Sequence, residues 1–370
     1  MPEQFNRKIS DAWNNRETDV VTSLLQSIDA TYINENITFY LVHGTPQAVQ
    51  IPPLHFAIEA NLLPAIAPLI NNGADINKII TEGIFKGKTP LWLAGVNNNV
   101  EMFMLLLEKG ANVNAMPTEG NYTAMNLICY ILNHGLPEIP KLLIENGADV
   151  NTAPTEGDYK GASVLCMAIC NENIELVTLL IEKDVNINFT ATGGLFPGRK
   201  PLGVAANQRK YDIAMMLIQN GADVNGIDSH GNTALMEAIA SNDMELIALL
   251  IENGANLNIA DAHGKTPVMQ AAESHNFELI QFLVMMGAEV NLNNEHWNAI
   301  LTNAKNAGAN NCVALIMNAN AVRSAFPLLH PDYKIKGDLS KLPEALINEV
   351  FTTLTGNKSK ARPKPKKPTQ

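Results

Sequence analysis

Cysteine is scarce in this sequence: four in 370 residues, Cys129, Cys166, Cys170 and Cys312, none in a Cys-x-x-Cys pair. Four are too few to staple a chain of this length, and the missing pair spacing removes the usual zinc and redox motifs. A reducing, cytoplasmic setting is therefore the default expectation. No apolar run approaches the ~18 residues of a membrane span, and the first ten residues lack the apolar core of a secretory signal. Charged residues are also few, 17% against the roughly 25% of soluble domains. Much of the missing polarity appears as 44 asparagines, which favour turns and helix ends, so many short elements are expected.

Basic residues are unevenly placed. Six of the 26 lie after Asn357, in KSKARPKPKKPTQ, leaving 20 against 37 acidic residues and a net charge of −17 over the rest. An acidic body repels phosphate backbones, which argues against nucleic acid as the ligand, and a basic protein partner or simple solubility fits better. Nucleophile elbow, P-loop, HExxH and dinucleotide motifs are all missing. The chain reads as non-enzymatic, with no cofactor and no metal.

What is present is a repeat. A Gly-Ala-x-aliphatic-Asn pentad begins at Gly73, Gly110, Gly147, Gly221, Gly254 and Gly287, with degenerate copies at Asp184 and Asn320 and a looser one near Asp29. The period is 37 residues in the first half and 33 in the second. Thr89-Pro90 and Thr266-Pro267 open helices, Thr as cap and Pro in the first turn. A second helix follows, its buried stripe at i, i+3, i+4 spacing (Phe103, Leu106, Leu107; Leu246, Leu249, Leu250). The pentad Gly ends it. That C′ slot needs a left-handed residue, and Asp and Asn are the side chains that best tolerate one where Gly is absent.

The Thr-Pro-Leu helix starts (Thr89-Pro90-Leu91, and Pro53-Leu54-His55-Phe56-Ala57), the paired helices, the pentad and the period together resemble the ankyrin repeat family over about residues 51–326. The resemblance implies an all-α fold, an ankyrin-repeat solenoid of about eight helix-pair units with extended hairpin fingers in the N-terminal half. It also implies a protein–protein interaction scaffold, binding a partner through its concave inner-helix and finger surface. A monomer is expected. The domain reading is 1–50 N-terminal capping helices and long loop, 51–326 repeats, 327–356 C-terminal capping helix, and 357–370 disordered basic tail.

Two features vary in step with the long repeats. The extended fingers place Phe85, Tyr122, Tyr159 and Phe196 at intervals of 37 residues. The fifth position of the inner-helix motif is apolar in the same repeats (Phe56, Leu93, Leu127, Met167, Val204) and polar afterwards (Glu237, Gln270, Asn303). Tyr130 extends the apolar stripe, with Val96 and Cys170 in the equivalent places. One reading is that long fingers and stripe bury each other. The other is that they line a partner-binding groove. His230, His263 and His296 recur every 33 residues, but a helix-packing rise of roughly 8–10 Å is too wide for a shared metal. They are read as solvated fingertips, and Cys166 and Cys170 as packing residues.

At the ends, one amphipathic helix (Val20, Val21, Leu24, Leu25, Ile28) precedes an irregular segment to Gln50. Residues 342–354 carry the stripe Leu342, Leu346, Val350, Phe351, Leu354. This segment is expected to cap the last repeat. It also resembles the first helix of an F-box, which implies an alternative role as a ubiquitin-ligase substrate adaptor contacting its ligase through Leu346, Val350 and Phe351. The basic, Pro-rich tail is similar to those of ankyrin effectors that intracellular bacteria secrete into host cytosol, and it is a weak signal for the nucleus.

Overall fold

The computed structural model describes residues 3–40, 48–115, 124–134, 138–151, 153, 160–193, 196–293 and 295–319. The chain divides into two compact bodies, Met1–Pro197 and Gly198–Gln370. The first holds α1 (Glu3–Asn14), α2 (Thr18–Gln26), a hairpin of β1 (Ile37–Tyr40) and β2 (Ala48–Ile51), α3 (Pro53–Glu59), α4 (Leu63–Asn71), α5 (Pro90–Val96), α6 (Val100–Glu108), α7 (Ala124–Asn133), α8 (Glu138–Glu145), α9 (Val164–Cys170) and α10 (Ile174–Glu182). The second holds α11 (Pro201–Asn207), α12 (Tyr211–Gln219), α13 (Ala234–Ala240), α14 (Met244–Glu252), α15 (Pro267–Glu273), α16 (Phe277–Met285), α17 (Glu295–Asn306) and α18 (Asn310–Met317). Odd-numbered helices are the inner members of each pair and even-numbered ones the outer.

Within each body successive pairs stack, inner on inner and outer on outer. The first pair, α1 and α2, was only half legible in the sequence. α1 is polar along most of its length and is anchored by the buried Ile9 and Ala12. On α2, Val21 and Leu25 are buried, as is Ile28 just beyond it, but Val20 stays 46% exposed. The segment to Gln50, expected to be irregular, contains the hairpin, with Ile37 opposite Ile51 and Tyr40 opposite Ala48. Among the described residues the regular structure is therefore helical apart from this hairpin and an isolated bridge between Ile227 and Thr233.

The helix starts follow from capping chemistry. Thr89, Ser163 and Thr233 accept the backbone N–H three residues on, at the starts of α5, α9 and α13. Thr266 takes the extended cap conformation, but its hydroxyl makes no such bond, so there Pro267 alone marks the start. Outer helices use Asn99, Asn173, Asp243 and Asn276 in the same way. Helix ends follow from backbone handedness: the six pentad glycines have φ between 84° and 105°, and Asp184 takes φ 54° in the same slot. Asn320 lies outside the described residues. A second left-handed position, between the two helices of a pair, is occupied by Asn61, Asn98, Glu172, Arg209, Asn242 and His275 at φ 50–58°.

The pentad asparagines tie repeats together. Asn114 donates its side-chain N–H to the Gly147 carbonyl at 2.8 Å and accepts the Asp149 N–H at 3.0 Å. Asn225 does the same with Gly254 and Asn256. Asn34 performs this duty for the first pair, bonding Gly73 and Asp75. The first copy of the pentad is thus anchored at Asn34, outside the pentad read at Asp29.

Candidate functional site

The first long finger folds back on itself. Gly87 N–H donates to Ile80 C=O at 2.7 Å and Ile80 N–H to Lys88 C=O at 3.2 Å. This pinch turns Phe85 inward, leaving it 7% exposed, with the Lys88 ammonium 5.2 Å from its ring centroid. Burial lowers the Lys88 pKa. The exposed apolar residue of this finger is Ile84. Phe196 is half-buried. Tyr122 and Tyr159 lie outside the described residues.

The stripe of inner-helix apolar residues is also covered. Phe56 has no exposed surface and meets the Trp13 ring edge-on at 5.3 Å. Leu93, Leu127 and Met167 are buried in the first body and Val204 in the second. Leu127 presses so closely on α5 that a Cβ at Gly95 would lie 2.9 Å from its Cδ2. As placed, these five side chains fill core and present no open groove. The reason is tertiary: this position is covered by the element stacked beside its helix, as Phe56 is by Trp13 and Leu127 by α5.

One turn further along, the surface opens. Val96 and Cys170 at the ends of α5 and α9, and Tyr130 in the last turn of α7, are half-buried, and Tyr130 stacks on the exposed His134, ring centroids 4.1 Å apart. His134 Nδ1 lies 2.7 Å from the Tyr130 carbonyl, which holds the imidazole in place. In the second body Glu237 takes the fifth position and Glu273 the place that matches Val96. Glu237, its side chain 12% exposed, accepts from the Asn207 amide at 2.8 Å and pairs with Arg199 at 3.7 Å. Glu273 pairs with Lys265 at 2.9 Å. The cavity beside Arg199, Gly203 and Glu237 is about 10 Å³, room for one water.

The other candidates take ordinary positions. His230 and His263 are exposed on their fingers and His296 is half-buried. Asp228 and Asp261 fold those fingers by accepting the N–H groups of His230 and Asn232, and of His263 and Lys265. Among the described residues no group of three or more His, Cys, Asp or Glu could hold a metal ion. Cys129, Cys166 and Cys312 are buried. Burial pushes the Cys129 thiol up to about 12, which makes it a poor nucleophile. Leu346, Val350 and Phe351 lie outside the described residues. Among the described residues no helix is long and apolar enough to cross a membrane.

Helix pairs closed by a left-handed Gly, joined by an asparagine ladder and linked through fingers define a stacked-repeat binding protein. The chain belongs to the ankyrin repeat family: the family model for ankyrin repeats in three copies matches overlapping windows at 12–117, 54–154, 127–228, 165–261, 202–294 and 235–325. The match starts within α1, well before residue 51. Ankyrin repeats are protein–protein interaction modules. No curated protein matches the chain. Among solved structures it is similar to the human ASB11 ankyrin repeat domain, at 27% identity over 63% of this chain and 96% of that one, with a TM-score of 0.45. It is also similar to the ankyrin repeat domain of Bcl-3, a member of the IkappaB family, at 27% identity over 62% and 94%, with a TM-score of 0.48.

Proposed function

We propose that this chain is a non-enzymatic scaffold that binds a protein partner on the inner-helix and finger side of its first body. The observation that carries the reading is the half-exposed column of Val96, Tyr130 and Cys170, with Tyr130 held by its stack on His134. Half-exposed aromatics fixed by neighbours are the residues on which binding energy concentrates. Half-buried Phe196, with Tyr122 and Tyr159 in its 37-residue register, is included in this surface as part of the proposal. Phe56, Phe85, Leu93, Leu127 and Met167 support this surface from beneath and set its shape. Val204, buried in α11, belongs to the second body and is not part of this surface. The acidic balance of the chain favours a partner segment that is basic around an apolar centre.

The test is affinity for a partner identified by cross-linking from a photoreactive residue at position 130. Tyr130→Ala and the pair Tyr122→Ala with Tyr159→Ala are expected to weaken binding at least tenfold, while Glu273→Ala in the second body leaves it unchanged. Unchanged affinity in variants that retain the native circular dichroism spectrum would overturn the assignment.

A further inference from the structure

The two ends of the repeat array leave open different sides of their outer helices, and the comparison gives each helix position a direction. In α2, the third and seventh residues, Val20 and Leu24, are 46% exposed and half-buried, while the fourth and eighth, Val21 and Leu25, are fully buried. In α4, which has a helix pair before it, the third and seventh residues, Ala65 and Leu69, are buried. Third and seventh positions thus face the preceding pair and the fourth the following one, while the eighth, half-buried at Ile70, Leu107, Ile181, Ile218 and Ile251, lies at the edge of that contact.

The last outer helix obeys the same rule at the opposite end. In α16 the fourth and eighth residues, Ile280 and Val284, are buried. Their counterparts 33 residues on, in α18, are Val313, half-buried, and Met317, 56% exposed. The third and seventh residues of α18, Cys312 and Ile316, remain buried. The inner helix agrees: Val268 is buried in α15, but its counterpart Leu301 in α17 is half-buried, and Ala272 is replaced by the exposed Lys305. Leu301, Val313 and Met317 therefore form an apolar strip beside Lys305, on the face where a further pair would sit.

We propose that this face is covered by the chain's own residues 342–354, through Leu342, Leu346, Val350, Phe351 and Leu354. The chain leaves the described structure at Ala319, next to the strip. The 22 residues from Asn320 to Lys341 span up to roughly 70 Å when extended, ample to return across one helix pair. Tethering gives the segment an effective concentration near millimolar. Glu344 and Glu349 supply the charge that Lys305 attracts, whereas a second copy brings the same acidic surface and is repelled. A segment docked in this way has Leu346, Val350 and Phe351 turned inward, which removes them from an adaptor role.

Hydrogen–deuterium exchange of the full-length chain tests this. Amides of 342–354 are expected to exchange at least tenfold more slowly than unstructured chain. That protection is lost in Met317→Glu and in Phe351→Glu, and the double variant is no less stable than the worse single one. Exchange at unstructured-chain rates in the wild type would overturn the proposal, as would protection that survives Met317→Glu. Protection that grows with protein concentration would assign the face to a second copy and overturn it equally. Capture of ubiquitin-ligase components by the wild type through Phe351 would show the segment free, with the same consequence. None of these readouts depends on the partner surface of the first body.

Discussion

The side chain of Asn151 donates to the carbonyl of Asp184, in the next repeat, at 3.1 Å, and with its other atom accepts the Asn186 N–H at 2.6 Å. One primary amide thus satisfies a carbonyl just past the end of α10 and a loop N–H that would otherwise turn to water. Asn151→Ala removes both bonds. A net loss of about 1 kcal/mol is expected, the low end for two bonds because the site is exposed. Asn151→Asp keeps the acceptor but sets an oxygen against the Asp184 carbonyl, so it should be at least as damaging. Urea midpoints of the two variants check the order; an Asp variant as stable as wild type would mean that the donor half of the bridge contributes nothing.

Glu172 occupies a left-handed conformation, φ 55°, between α9 and α10. A side chain with a Cβ is disfavoured there by roughly 1 kcal/mol or more, and Glu lacks the short polar arm with which Asn compensates. Glu172→Gly is therefore expected to stabilise the first body by about 0.5–1 kcal/mol once the added freedom of the unfolded chain is discounted. Glu172→Asn should fall between the two. Thermal unfolding gives the ranking, and a Gly variant less stable than wild type would show that contacts of the Glu172 side chain outweigh its backbone strain.

How far the sequence disclosed this architecture depends on whether a position's requirement is local. The pentad slot was legible because left-handed backbone selects Gly, and Asp184 is the next best answer. The slot at Glu172 and Arg209 was not, because tertiary register imposes a conformation that the residue types themselves disfavour. Phe56, Leu93, Leu127 and Met167 were recognisable as an apolar stripe, yet periodicity cannot tell a stripe covered by the neighbouring pair from one open to a partner. Their burial depends on contacts such as Trp13 on Phe56, which join residues far apart in sequence. Phe85 was found by its 37-residue recurrence, while its inward turn depends on the Gly87-to-Ile80 bond, which no spacing reveals. α1 was less legible than α2 because it is polar overall, with only Ile9 and Ala12 buried.

Gly95 and Gly203 sit inside inner helices of similar length and should respond oppositely to alanine. At Gly203, in α11, a Cβ would meet nothing within 4 Å, whereas at Gly95, in α5, it would meet Leu127 Cδ2 at 2.9 Å. Alanine in a helix interior is favoured over glycine by about 1 kcal/mol. Gly203→Ala should therefore raise stability by about that amount. Gly95→Ala should gain nothing or lose up to a few kcal/mol, because Leu127 must leave its buried seat. Paired denaturation curves decide the matter, and a stabilising Gly95→Ala would mean that Leu127 moves at little cost.

His55 gives the first body a titration of its own. The ring is fully buried, with Nε2 2.9 Å from the Lys78 carbonyl, and burial lowers its pKa from 6.5 to about 4. The neutral imidazole is therefore the form that the fold holds. Between pH 6.5 and 4 the unfolded chain takes up a proton that the folded chain refuses, so stability is full above 6.5 and declines as pH falls through this window. The loss is complete below 4, and the shift corresponds to about 3 kcal/mol. His55→Gln, which keeps a side-chain donor of similar reach, should remove this component of the pH dependence while lowering stability at pH 7. Urea unfolding of both proteins at pH 7.5, 5.5 and 4.5 measures it. Parallel profiles would show that His55 titrates alike in folded and unfolded chains and that the acid sensitivity comes from other groups.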